Sequence, residues 1–261
     1  MLTIATAAAA LLLTAAALPS NAPLPQPKPD APAAVMPTPE PRPQPPDASE
    51  PDEPTPQPKA EMQGPPRPPP AIAGESDEDH KTCETELQAM GATFKDIPRI
   101  DDGNGCGIDK PILLSEALPG IRVKPEGKMR CATALALAHW MKESVIPAAE
   151  TALKEAGRIT TINQASTYIC RLRNSAATGK ISEHARGNAI DVASFTFEKG
   201  TTVAVEPRRE DPTLTGAFQR TVSAAGCLYF TTVLDPESDA AHEHHFHLDV
   251  ISRNGGFRYC H

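Results

Sequence analysis

The 261-residue chain carries 33 acidic and 25 basic side chains, a formal net charge of −8. That balance argues against nucleic-acid binding, which needs a positive surface to displace counterions. The length allows one or two domains, and the prolines favour one domain plus a tail, because 21 of the 29 lie between Pro19 and Pro70.

Residues 1–20, MLTIATAAAALLLTAAALPS, form an apolar run ending in small residues. This predicts a secretory signal peptide or an N-terminal anchor. The run is about 17 residues, the short limit for a membrane-spanning helix, and no Lys or Arg precedes Lys28. Residues 21–79 have almost no large apolar side chains and cannot offset the entropy of ordering a chain. They are expected to be a disordered, polyproline-like linker whose acidic end, Asp47 to Asp79, is solvated. The folded domain is expected over 80–261.

All six cysteines, Cys83, Cys106, Cys131, Cys170, Cys227 and Cys260, follow the linker, and none forms a CxxC pair. With an export signal, this favours up to three disulfides over a cysteine metal site, with the connectivity open. From Lys81 to about Gly127 the sequence predicts a short helix, loops and a strand. Met129 to Ala156 reads as helix, with a stripe through Ala132, Leu135, His139 or Met141, Val145, Ala149 and Leu153. Gly157 is its stop, Pro147 predicts a kink or two helices, and His139 and Trp140 are expected to pack. RITTINQASTYICRLR suits a strand, and NAIDVASFTF and TTVAVEP suit a hairpin about EKG. LTGAFQRTVSAAGC reads as helix, and CLYFTTVL and HHFHLDVI as strands. The assembly predicted is α+β, a small antiparallel sheet with flanking helices.

Four of the eight histidines crowd into AHEHHFHLD, at His242, His244, His245 and His247, and His184 opens SEHARGNAID. On a strand, side chains alternate, so His245, His247 and Asp249 share one face while Phe246, Leu248 and Val250 enter the core. Asp191 lies on another predicted strand between the apolar Ile190 and Val192, and Gly187 allows a sharp bend after His184. His184, Asp191 and His247 can therefore converge. Two imidazoles and one carboxylate suit zinc (Zn2+) with a position left for water. A general base must take the water proton. His245 is well placed, Glu243 would share its face if the strand extends back, and His242 and His244 could assist.

SEHARGNAID resembles the S-x-H-x-x-G-x-A-x-D motif of the lysostaphin, D-Ala-D-Ala metallopeptidase and hedgehog superfamily, and HFH resembles its H-x-H motif. With TYICR and HFHLDV, residues 80 to 261 more closely resemble the bacterial extensin-like C-terminal domain family. The resemblance implies a hedgehog or D-Ala-D-Ala-peptidase-like fold, zinc held by His184, Asp191 and His247, and action on peptidoglycan stem peptides outside the cytoplasm. The Glu-x-x-His pattern of many carboxypeptidase relatives is broken, because His244 stands three before His247. The spacing instead resembles murein endopeptidases, which implies His245 as base and His242 as an auxiliary group, with Glu243 as competitor. An arginine that contacts substrate or the developing oxyanion is also implied, with Arg171 the first candidate and Arg173 the second. The expected function is a periplasmic or cell-envelope zinc endopeptidase of wall crosslinks. A carboxypeptidase, a non-catalytic zinc-containing wall-binding module and a structural proline-rich wall protein are the alternatives. The N-terminal segment could tether the chain to the membrane.

Overall fold

A computed structural model describes residues 71–261; the predicted signal segment and most of the predicted linker lie outside them. The first helix, α1 (Asp77–Ala89), begins inside the acidic stretch assigned to the linker. The local chemistry explains this. Ser76 caps the helix by accepting from the Asp79 amide, and Asp77, Glu78 and Asp79 place negative charge against its N-terminal dipole.

Short strands β1 (Thr93–Asp96), β2 (Ile100–Gly103) and β3 (Cys106–Ile108) follow, then the longer β4 (Pro111–Leu118) and β5 (Ile121–Arg130). The long predicted helix starts only at Cys131. It runs as α2 (Cys131–Trp140), a π turn (Met141–Val145) and α3 (Ile146–Ala152), ending before Gly157 at φ 83°. Pro147 lies at the start of α3, where its missing amide costs least. The buried stripe matches the predicted one at Met141, Val145 and Ala149 and differs before them: Cys131, Ala134, Leu137, Ala138 and Trp140 face inward, while Ala132 is exposed and His139 pairs with Glu143. Trp140 is fully buried among Phe195, Phe230 and Phe246 at 6.0–6.2 Å, and its indole nitrogen donates to the Val222 carbonyl. That contact satisfies the one polar atom of a large apolar side chain.

After α3 come β6 (Ile159–Ser166), β7 (Ala189–Phe197), β8 (Thr202–Ala204), α4 (Leu214–Gly226), β9 (Thr232–Leu234), β10 (Phe246–Asp249) and β11 (Tyr259–Cys260). The main sheet has nine strands in the order β1-β4-β5-β6-β7-β10-β9-β11, with β8 beside β7. The β7–β8 hairpin forms as the sequence predicts. The sheet is larger than expected and mixed. The β5–β6 pair is parallel because the helical rod returns the chain in the same direction, and β9–β11 is parallel too. TYICR lies beyond β6, in a loop closed by a single bridge from Leu172 to Ile181.

Disulfides join Cys83 to Cys131, Cys106 to Cys170 and Cys227 to Cys260, and no cysteine is left free. Their loops span 48, 64 and 33 residues, each constraining the unfolded chain by about 4 kcal/mol in the loop-entropy account. Three such bonds fit an oxidising, exported environment. Among the described residues no helix is long and apolar enough to cross a membrane.

Candidate metal centre

Strand register builds the centre. In the antiparallel β7–β10 pair, Asp191 stands directly opposite His247, so both side chains leave the same face of the sheet. Ile190, Val192, Phe246 and Leu248 leave the other face and are fully buried in the core. His184 arrives from a 3-10 turn, His184–Arg186, that precedes β7. Gly187 ends that turn at φ 69°, and a Cβ there would lie 2.4 Å from the Ile108 side chain. The Gly187 carbonyl accepts from the Arg130 amide and the Thr133 hydroxyl, which pins the turn beneath α2. Glycine is required here by both backbone conformation and space.

The three side chains bring one atom each to a common point. His184 Nε2 lies 3.1 Å from Asp191 Oδ1 and 3.1 Å from His247 Nδ1, and His247 Nδ1 lies 3.0 Å from Asp191 Oδ1. The other ring nitrogens show where the imidazole protons reside. His184 Nδ1 is 2.7 Å from the Thr167 carbonyl, which can only accept, so Nδ1 donates. His247 Nε2 is 3.2 Å from Asp249 Oδ2, whose carboxylate also accepts from the Thr232 hydroxyl and the Ile251 amide. In the neutral rings, His184 Nε2 and His247 Nδ1 are therefore lone pairs. Facing a carboxylate oxygen, they make three acceptors with no donor among them.

Such an arrangement needs a cation. A proton is one answer. Burial alone would lower the His247 pKa, but hydrogen bonds to Asp191 and Asp249 outweigh it and push the ring up to about 9. Burial would likewise raise Asp191, yet His184 and His247 hold its carboxyl far below the usual carboxylate range. A metal is the other answer, and the residues fit one. Tetrahedral zinc holds its donor atoms about 3.4 Å apart, close to the edges of this triangle. Each histidine carries its outer proton to a carbonyl or carboxylate, the arrangement that orients metal-ligating imidazoles.

A cavity of about 550 Å³ opens over the cluster. His245 and His242 line it. The Nε2 of His245 lies 3.6 Å from Asp191 Oδ1, just outside hydrogen-bond reach. Burial lowers the His245 pKa, against the nearby Asp191 charge, so this ring is neutral at neutral pH. The Arg171 guanidinium lies 3.8 Å from Asp191 Oδ2 and touches Ser175 Oγ, and its buried Nε has no partner. The Cys106–Cys170 disulfide fixes the residue just before it to β3. Arg173 reaches toward the buried Glu183 carboxylate at 3.7 Å.

The structure thus gathers His184, Asp191, His247, His245, His242 and Arg171 at one cavity. Glu243 does not join them. β10 begins only at Phe246, and the preceding residues are turned, so His242 points in while Glu243 and His244 are exposed. Arg171 reaches the site from a loop and not from a strand. Sequence reasoning gave no role to the Thr167 carbonyl, Asp249 or Glu183. Alternation marks Asp249 in HFHLD; no sequence signal marks a carbonyl.

The family model for the extensin-like protein C-terminus matches residues 81–261. The chain belongs to the extensin-like C-terminal family. The match contains every residue of the centre described above. No curated protein and no solved structure matches the chain.

Proposed function

We propose that this extensin-like chain is a zinc-dependent peptidase of peptidoglycan, of the lysostaphin and D-Ala-D-Ala metallopeptidase type, acting as an endopeptidase on crosslinks between wall stem peptides. The observation that carries the reading is the triangle of three lone-pair atoms from His184, Asp191 and His247, open to a cavity lined by further basic groups. Zinc held by these residues would supply Lewis acidity toward water and toward a peptide carbonyl.

The chain's own groups divide the remaining work. His245, neutral because it is buried, can accept a proton from water beside Asp191. His242 is the auxiliary group. Arg171 has unpartnered donor capacity beside the centre and can pair with a substrate carboxylate or a developing oxyanion. The disulfides agree with work in the cell envelope, where this substrate lies.

Arg171 and Arg173 also favour a second reading, a carboxypeptidase that grips a terminal carboxylate. Digestion of crosslinked peptidoglycan by the zinc-loaded chain, read by mass spectrometry beside a chelated sample, separates the two. Loss of crosslinked dimers supports the endopeptidase, and loss of a terminal residue from uncrosslinked stems supports the carboxypeptidase. No change in either, with zinc bound, defeats both and leaves a wall-binding module.

A further inference from the structure

We infer that Asp239 is a positioning residue that fixes the tautomer of His242, so that His242 turns a lone pair toward the cavity and serves as the second proton carrier of the site. The inference rests on the hydrolase reading for its chemistry, though not for its geometry.

Asp239 Oδ1 lies 2.7 Å from His242 Nδ1 and also accepts from the Ala241 amide at 2.8 Å. The His242 amide donates back to the Asp239 carbonyl at 3.1 Å, closing a tight turn around the pair. That turn is itself anchored. The Glu237 carboxylate accepts from the Arg208 and Arg209 amides, and Asp235 accepts from the Glu237 amide and the Ser223 hydroxyl. His242 is only 8% exposed at its side chain, and its ring centroid lies 5.2 Å from that of His245 and 5.7 Å from that of His247.

A carboxylate can only accept, so the His242 proton sits on Nδ1, and Nε2 carries the lone pair. A carboxylate behind an imidazole both selects that tautomer and stabilises the imidazolium formed when Nε2 takes a proton. His245 has no such partner; its ring faces Asp191 only at 3.6 Å. The two histidines therefore differ in equipment: His245 approaches Asp191, and His242 has a carboxylate fixed behind its ring. In hydrolysis, water loses a proton to the histidine pair as its oxygen bonds to the carbonyl carbon. The C–N bond breaks, and the same proton passes from His242 Nε2 to the departing amine nitrogen. The products are a carboxylic acid and an amine, the acid's remaining proton passes to the amine to leave a carboxylate and an ammonium, and His242 returns to its starting form.

The test uses the zinc-loaded full chain. Nitrogen-detected histidine spectra of the wild type should show His242 with its proton on Nδ1, and Asp239→Asn should shift the ring toward the other tautomer without loss of zinc. On crosslinked muropeptides, Asp239→Asn should lower kcat on the order of 10²-fold with KM within about twofold. In a His242→Ala background the same substitution should cost less than about twofold. An Nε2–H tautomer in the wild type, or an equal Asp239→Asn loss in both backgrounds, overturns the inference. If the wild type cleaves nothing, the hydrolase reading fails, and the spectra alone decide whether Asp239 positions His242.

Discussion

His80, Glu84 and Asp96 crowd together as closely as His184, Asp191 and His247 do: in each trio the atoms able to bind a metal lie within 4.8 Å of one another. The protons distinguish them. His80 stands among three carboxylates, with Glu75 3.4 Å from Nδ1 and Glu84 and Asp96 3.5 and 3.6 Å from Nε2. Both ring nitrogens there face carboxylates at ion-pair distance without a hydrogen bond, and Nδ1 is buried with no partner. Burial and the adjacent Asp96 push the Glu84 carboxyl up, as expected where two carboxylates share a proton. Asp96 is also 67% exposed at its side chain, against 3% for Asp191. On the sheet, by contrast, both outer imidazole protons are committed to Thr167 and Asp249, and the inner lone pairs converge on a buried carboxylate. Crowding of ligand types is common to both trios; lone pairs converging on a buried carboxylate belong to the sheet trio.

The largest expected effect sharpens that contrast. Asp191→Ala should weaken zinc binding by roughly 10³-fold, one ligand's share of the ~10–16 kcal/mol typical of tight zinc sites. Competition with a chromogenic chelator checks it. Next, Asp249→Asn leaves all three ligands in place and should still cost about 10- to 100-fold in zinc affinity, because it releases the outer proton of His247.

Acidity gives a third test. In the metal-free chain His247 is pushed up to about 9, so zinc must displace a proton at any lower pH. Zinc affinity should therefore rise by up to about tenfold per pH unit as pH increases toward 9, with proton release visible by calorimetry in two buffers. The metal-free fold should show the opposite trend. A raised histidine pKa stabilises the folded state fully below its unfolded value near 6.5, and that contribution is lost as pH rises through about 9. The melting-temperature advantage of wild type over His247→Gln, measured without metal, should shrink across that window.

The smallest effect is the one that would break the comparison. His80→Ala should leave zinc stoichiometry unchanged and alter stability by about 1 kcal/mol or less, the usual size for such ion pairs. Loss of a zinc equivalent on this substitution would mean that crowding alone makes a site.

The contrast also explains what could be read from the residues. Asp191 and His247 were legible because two-residue alternation assigns each to the polar face of its strand, with Ile190, Val192, Phe246 and Leu248 turned to the core. Gly187 marked the bend that brings His184 in. Glu243 shares that polar face only if the strand extends back past Phe246, and the chain turns there instead. The β-branched pattern of ITTIN runs on into TYICR and predicts a strand at Arg171; a disulfide and a loop place it instead. The helical stripe is buried from Met141 to Ala149 as the sequence predicts and departs from it at Ala132, because β5 claims residues through Arg130 and the helix begins only at Cys131. The three disulfide partners and the parallel β5–β6 crossover depend on contacts far apart in the chain, which local patterns do not encode.

X-ray absorption spectroscopy of the zinc-loaded full chain tests the central claim most directly. Two imidazoles and oxygen scatterers at about 2.0–2.2 Å with no sulfur are expected, with loss of one imidazole in His247→Ala. Sulfur at the metal, or a wild-type spectrum without imidazole, would contradict it.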